Sequence, residues 1–110
     1  MPTQQKRNRN AGKAHEKRIA QMLDGERKGL FGGVDVTGVH IGNLSFDIEC
    51  KVKSNMPTYL RRHYEQARRH SQPGNVPTLV LHAKHQPYED DLIVFRLADF
   101  IAMIIPELEK

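Results

Sequence analysis

The chain of 110 residues contains one cysteine, Cys50. A single thiol excludes an intramolecular disulfide and any zinc site built on cysteines, and it fits a reducing, intracellular setting. No apolar run approaches the roughly 20 residues needed to span a bilayer. The polar, basic N-terminus has no apolar signal region, so the expectation is a cytoplasmic protein that engages no membrane. The six histidines follow no metal-binding spacing. His82, inside an apolar run, reads as a core residue. Internal repeats are lacking. The length suits one domain, burying roughly two-thirds of its unfolded surface. That domain is expected over residues 11–110. Residues 1–10 hold Lys6, Arg7 and Arg9 with almost nothing apolar, which predicts a disordered arm able to lie along phosphates.

Acidic residues are scarce in the first two-thirds of the chain. Residues 1–72 hold 14 Lys/Arg against 7 Asp/Glu, a balance of +7, while residues 73–110 hold 3 against 6, a balance of −3, giving the net charge of +4. This asymmetry, with a sequence pI of about 9.4, suggests one face turned toward a polyanion and nucleic acid as the partner.

Residues Phe46 to Lys53 alternate one by one, apolar at Phe46, Ile48, Cys50 and Val52 and charged at Asp47, Glu49, Lys51 and Lys53. Successive side chains of a strand point to opposite faces, so this is a strand with one core face and one charged face. Before it, a helix is expected between an Asn10 cap and a Gly25 stop, with Gly12, Glu16, Ile19 and Leu23 on one stripe. Gly25 to Gly33 reads as a loop, Val34 to Ile41 as a strand, and Gly42-Asn43 as a two-residue hairpin turn. The hairpin cannot be regular. Val34 and Val36 have one parity and Val39 and Ile41 the other, and a regular ladder would set Asp35 opposite Cys50, facing the core. One extra residue at Thr37-Gly38, a β-bulge, puts all four apolar side chains on one face and brings Asp35 opposite Glu49. The same shift turns His40 toward the acidic face.

Downstream, Tyr59 to Ser71 reads as a helix with a buried stripe of Leu60, Tyr64 and Ala67, flanked by Arg61, Arg62, Arg68 and Arg69. Pro73-Gly74-Asn75 is a turn. Pro77 to Ala83 reads as a central strand covered on both faces, Lys84 to Asp90 as a polar loop, and Leu92 to Arg96 as a further strand. Ala98 to Leu108 is a last helix, bent or shortened by Pro106, whose apolar surface suits deep burial or a homodimer interface. The expected fold is α/β, a mixed sheet with helices on both faces, in the order αβββαββα or αββαββα. A right-handed parallel crossover through the arginine helix would join the Phe46 and Pro77 strands.

With the bulge in place, Asp35 and Glu49 are neighbours, Lys51 lies one pleat further on, and Glu16 looks in from the first helix. Paired carboxylates repel unless a cation lies between them, and oxygen ligation suits Mg²⁺ or Mn²⁺. A salt-bridged strand face would use the same residue types. Asp35, then Glu49-Cys50-Lys51 fourteen residues later on a hairpin, with Glu16 on a preceding helix, resembles the PD-(D/E)XK nuclease superfamily, in size and element order most like the small Holliday junction resolvases of archaea and phages. The similarity runs from about Gly12 to Arg96. It implies a restriction-endonuclease-like core and a metal-dependent DNA endonuclease acting on branched DNA as a homodimer. It also implies Asp35, Glu49 and the Cys50 carbonyl as metal ligands, Lys51 serving the attacking water, and Glu16 binding metal directly or through water. Val34 stands where that family often has proline, and Asp47 is an alternative ligand on the Glu49 row. A serine-bearing loop is not evident at Leu30 to Gly33. Gln66, Tyr64 and Arg62 lie on a helix that in related nucleases leans over the site. Phosphate contacts are expected from Lys6, Arg7, Arg9, Lys13, Lys53, Arg61, Arg62, Arg68 and Arg69. Other readings are a nicking, flap or restriction-like nuclease, or a silent nucleic-acid-binding module.

Overall fold

A computed structural model describes residues 3–28 and 33–108. Helix α1 (Gln4–Leu23) begins earlier than the sequence pattern predicts. The Thr3 hydroxyl accepts from the Lys6 N–H at 3.1 Å, which makes Thr3 the N-cap in place of Asn10. Gln4 donates to the Asn8 side chain one turn on. Residues 4–10, expected as a disordered arm, are therefore helical: they hold no glycine or proline, and the cap satisfies a donor that a helix start would leave orphaned. Met1 and Pro2 of that expected arm lie outside the described residues. The helix closes at Asp24, in the left-handed region at φ 53°, with the Gly25 N–H donating to the Ala20 carbonyl at 2.9 Å.

The chain divides into two compact units, residues 1–54 with 101–110, and residues 55–100. In the first, β1 (Glu26–Arg27), β2 (Val36–Ile41) and β3 (Leu44–Ile48) form an antiparallel sheet in that order. Strand β1 lies where the sequence suggests only loop. Two polar residues carry no alternation to read. Gly42-Asn43 makes the two-residue turn, with Ile41 opposite Leu44 and Gly42 at φ 58°. Val36 pairs with Ile48 and Val39 with Phe46, so Thr37 and Gly38 together oppose Asp47 alone. This is the bulge that the valine parity demands, and Gly38 supplies its φ of 80°. Val36 and Val39 consequently share the buried face with Ala20, Leu23 and Ile104. A Cβ at Gly38 would meet nothing closer than 3.8 Å. Gly38→Ala should thus cost only the left-handed torsion, about 1–2 kcal/mol, read as a lower urea midpoint. An unchanged midpoint would mean the bulge needs no glycine.

Strand β3 stops at Ile48, short of the expected Lys53. Strand β2 begins only at Val36, so no ladder partner exists further along, and a side chain takes over the next backbone donor, as described below.

In the second unit, α2 (Thr58–His70) keeps Leu60, Tyr64 and Ala67 half-buried and its arginines exposed. Its last turn carries Arg68, Arg69 and His70, which complement the helix dipole. The Asn75 N–H closes a turn on the Gln72 carbonyl at 3.1 Å, with Gly74 at φ 88°. Strand β4 (Leu79–Leu81) pairs antiparallel with β5 (Leu92–Val94) and, among the described residues, with nothing else. Within this unit β4 is not the expected central strand covered on both faces: with a single partner among the described residues, it leaves Val80 56% exposed. All described pairings are antiparallel, in two small sheets, and with three helices they give the expected α/β class.

His82 is likewise no core residue. It follows β4 on the exposed side with Val80, bonds through Nδ1 to Asp91 at 2.5 Å, and stacks on Tyr88 at 4.7 Å between ring centroids. That bond, with a further one from Gln86, holds the Asp91 carboxyl below its ordinary pKa. The expected polar loop contains a short 3₁₀ turn, Tyr88–Asp90. Helix α3 (Leu97–Leu108) continues through Pro106, which lies near its end and removes a single backbone bond there. The element order is the αβββαββα alternative. Among the described residues no helix is long and apolar enough to cross a membrane.

Candidate active site

Asp35 immediately precedes β2, and its backbone is fixed at both ends. Its N–H donates to the Ile48 carbonyl and its carbonyl accepts from the Lys28 N–H, each at 2.9 Å. Its side chain is therefore aimed rather than free. Oδ2 accepts from the Cys50 N–H at 2.7 Å, the short distance of a charge-assisted bond. The carboxylate thereby sits against the main chain of the Glu49-Cys50-Lys51 segment. Had the hairpin lacked its bulge, this side chain would face the valines.

Three carboxylates converge electrostatically on one thiol. Burial pushes the Cys50 pKa up from its ordinary value, and the charges of Asp35, Glu16 and Glu49 push it in the same direction. The thiol is held in its protonated form at neutral pH. Asp47 is exposed and is not among the charges acting on Cys50.

Beside this segment lies a cleft of about 360 Å³, lined in part by Arg9, Lys13, Glu16, Arg27 and Lys51. Four cations face one carboxylate there, a composition suited to phosphate. Glu16 is only 20% exposed and accepts from Arg27 Nε at 2.9 Å. Lys51 Nζ stands 3.6 Å from Glu49 Oε1 and is 74% exposed, free to meet a ligand from solvent. Arg27 is the residue that sequence reasoning missed. It reaches Glu16 because the tight turn at Asp24-Gly25 folds β1 back against α1, and nothing in the Gly25 to Gly33 pattern signals that.

The donor set open to a hard cation is all oxygen: Asp35, Glu49 and the Cys50 carbonyl. Among the described residues, no hydrogen bond occupies Asp35 Oδ1 or that carbonyl. No group of three His, Cys, Asp or Glu side chains among the described residues is close enough to hold a metal ion. Mg²⁺ nonetheless binds through one or two carboxylates completed by water and substrate phosphate, which this set fits.

The remaining candidates are dispersed. Lys6 and Arg7 are exposed on α1. Lys53 lines a separate hollow with Gln4 and Asn8. Arg61, Arg62, Arg68 and Arg69 are exposed on α2, Arg68 paired with Glu65 at 3.4 Å. Gln66 is exposed, and Tyr64 donates from its hydroxyl to the Pro77 carbonyl at 3.4 Å. His40 is held by Ser45 across the hairpin at 2.8 Å. Most of the Leu30 to Gly33 loop lies outside the described residues. Compared with protein-family models, curated proteins and solved structures, the chain has no match.

Proposed function

We propose that this chain is a metal-dependent endodeoxyribonuclease with a restriction-endonuclease-like core, directed at branched DNA. The bond from the Cys50 N–H to Asp35 carries the reading, because it ties one carboxylate to the Glu-Cys-Lys segment beside a cationic cleft. Asp35, Glu49 and the Cys50 carbonyl would hold Mg²⁺ or Mn²⁺. When bound, such an ion polarises a phosphate oxygen and lowers the pKa of a coordinated water. Lys51 orients the water that attacks phosphorus and neutralises charge gathering on the phosphoryl oxygens. Arg9, Lys13 and Arg27 seat the phosphate backbone, and the bond with Arg27 holds Glu16 toward the site. Exposed Met103 and Ile105 on α3 favour a homodimer, whose two-fold axis suits paired cuts on a junction.

A second reading, a silent nucleic-acid-binding module, draws on the cationic cleft and the exposed arginines of α2, which need no metal to hold phosphate. One assay separates them. Purified protein with Mg²⁺ or Mn²⁺ is incubated with four-way, flap, nicked, linear duplex and single-stranded DNA. Metal-dependent cleavage, strongest on a branched substrate, is the expected result. Tight binding with no cleavage of any substrate would replace the nuclease with the binding module, and preference for a flap or linear site would redirect its specificity.

A further inference from the structure

The second unit contains an apolar groove of about 350 Å³, lined in part by Met56, Leu60, Arg61, Tyr64, Phe95 and Arg96. We infer that this groove receives an unpaired nucleobase of the DNA, with the adjoining phosphate on Arg61. This inference rests on the reading of DNA as the partner.

The chemistry of the lining selects that ligand. Two aromatic side chains, Tyr64 and Phe95, and the aliphatic Met56 and Leu60 favour a flat apolar group. The Tyr64 hydroxyl is engaged by the Pro77 carbonyl and lies by the Arg96 guanidinium, so what the side chain has left to offer a base is its ring. The charges there are mostly spent: Arg96 pairs with Asp99 at 3.4 Å, and Glu65 with Arg68. Among the described residues Arg61 makes no ion pair. One uncompensated cation beside aromatic rings is the pairing that binds single-stranded nucleic acid, stacking for the base and charge for the backbone. Bases inside a duplex keep their faces stacked on one another and cannot enter. A second copy of this chain fits poorly, because a self-complementary contact through α2 would bring Arg61, Arg62, Arg68 and Arg69 toward their own counterparts.

The test uses the full chain in EDTA, so that cleavage plays no part. Affinity is measured by fluorescence anisotropy for a duplex with a short single-stranded flap and for the same duplex without it, and 4-thiothymidine in the flap is photocrosslinked and mapped by mass spectrometry. The flapped duplex should bind about tenfold more tightly, the size of one base stacked on an aromatic side chain, with crosslinks at Met56, Tyr64 or Phe95. In Phe95→Leu and Arg61→Gln, each checked for an unchanged circular dichroism spectrum, the flap-to-duplex ratio should fall toward one. Equal binding of the two DNAs, crosslinks confined to other segments, or groove variants that convert a dimer to monomer in sedimentation would each overturn the inference. A protein that crosslinks in the groove yet cleaves nothing would retain it and lose only the nuclease.

Discussion

If the proposed site is right, Asp35→Asn should lower metal-dependent cleavage about 10³-fold, equivalent to about 4 kcal/mol at 1.36 kcal/mol per decade. The substitution is chosen to keep the fold. Asparagine has the same shape and an amide oxygen that can still accept from the Cys50 N–H, so the 2.7 Å contact survives while the charge does not. What would disappear is the proposed ligand for the cation, together with part of the field around Cys50. That field gives a readout independent of catalysis: Asp35 is one of the charges raising the Cys50 pKa, so its removal lowers that pKa, raises the thiolate fraction and speeds reaction with a disulfide reagent. Asp47→Asn, in the same single-turnover assay, should change the rate less than about threefold, in the range of an ordinary surface substitution. The opposite pattern would make Asp47 the ligand.

Gly25→Ala is the second large effect, and its cause is clearance rather than torsion. A Cβ at Gly25 would lie 2.7 Å from the Thr37 carbonyl oxygen, 2.9 Å from Val39 Cγ2 and 3.0 Å from Val36 Cγ1. The first of these is a backbone atom of the bulge and cannot rotate away. The extra methyl should cost about 3 kcal/mol, the top of the overpacking range, a fall of about 10–15 °C in melting temperature. Because the displaced atoms belong to the bulge that sets Asp35, cleavage should fall along with stability. A variant that melts like the parent would show that the end of α1 and the bulge are not packed together.

These two residues mark what the sequence made legible. The bulge followed from valine parity alone, because a period-two pattern that changes phase between Val36 and Val39 has few repairs and Gly38 sits at the phase change. The same step takes Asp35 off the valine face, where its carboxylate meets the Cys50 N–H. The hairpin turn and the Leu60, Tyr64 and Ala67 stripe were equally readable, being local. Features depending on a partner element were not. Nothing within Pro77 to Ala83 says that its strand finds only one neighbour among the described residues, so the apolar run reads His82 as buried while its side of the strand is open. The start of α1 is not legible because a polar stretch with a lone Thr3 cap resembles a disordered arm in composition. Arg27 carries no signal in the sequence, since its bond to Glu16 exists only once the turn at Asp24-Gly25 brings the two together.

The central claim is that the bulge turns Asp35 toward Glu49 and Cys50 to make a divalent-cation site. Backbone amide resonances of ¹⁵N-labelled protein titrated with substoichiometric Mn²⁺ test it most directly, because paramagnetic broadening falls off steeply with distance from the ion. The amides of Asp35, Glu49 and Cys50 should broaden first, and Asp35→Asn should abolish that broadening. Broadening centred on another acidic stretch, such as Glu89 to Asp91, with Asp35 and Glu49 left sharp, would contradict the account.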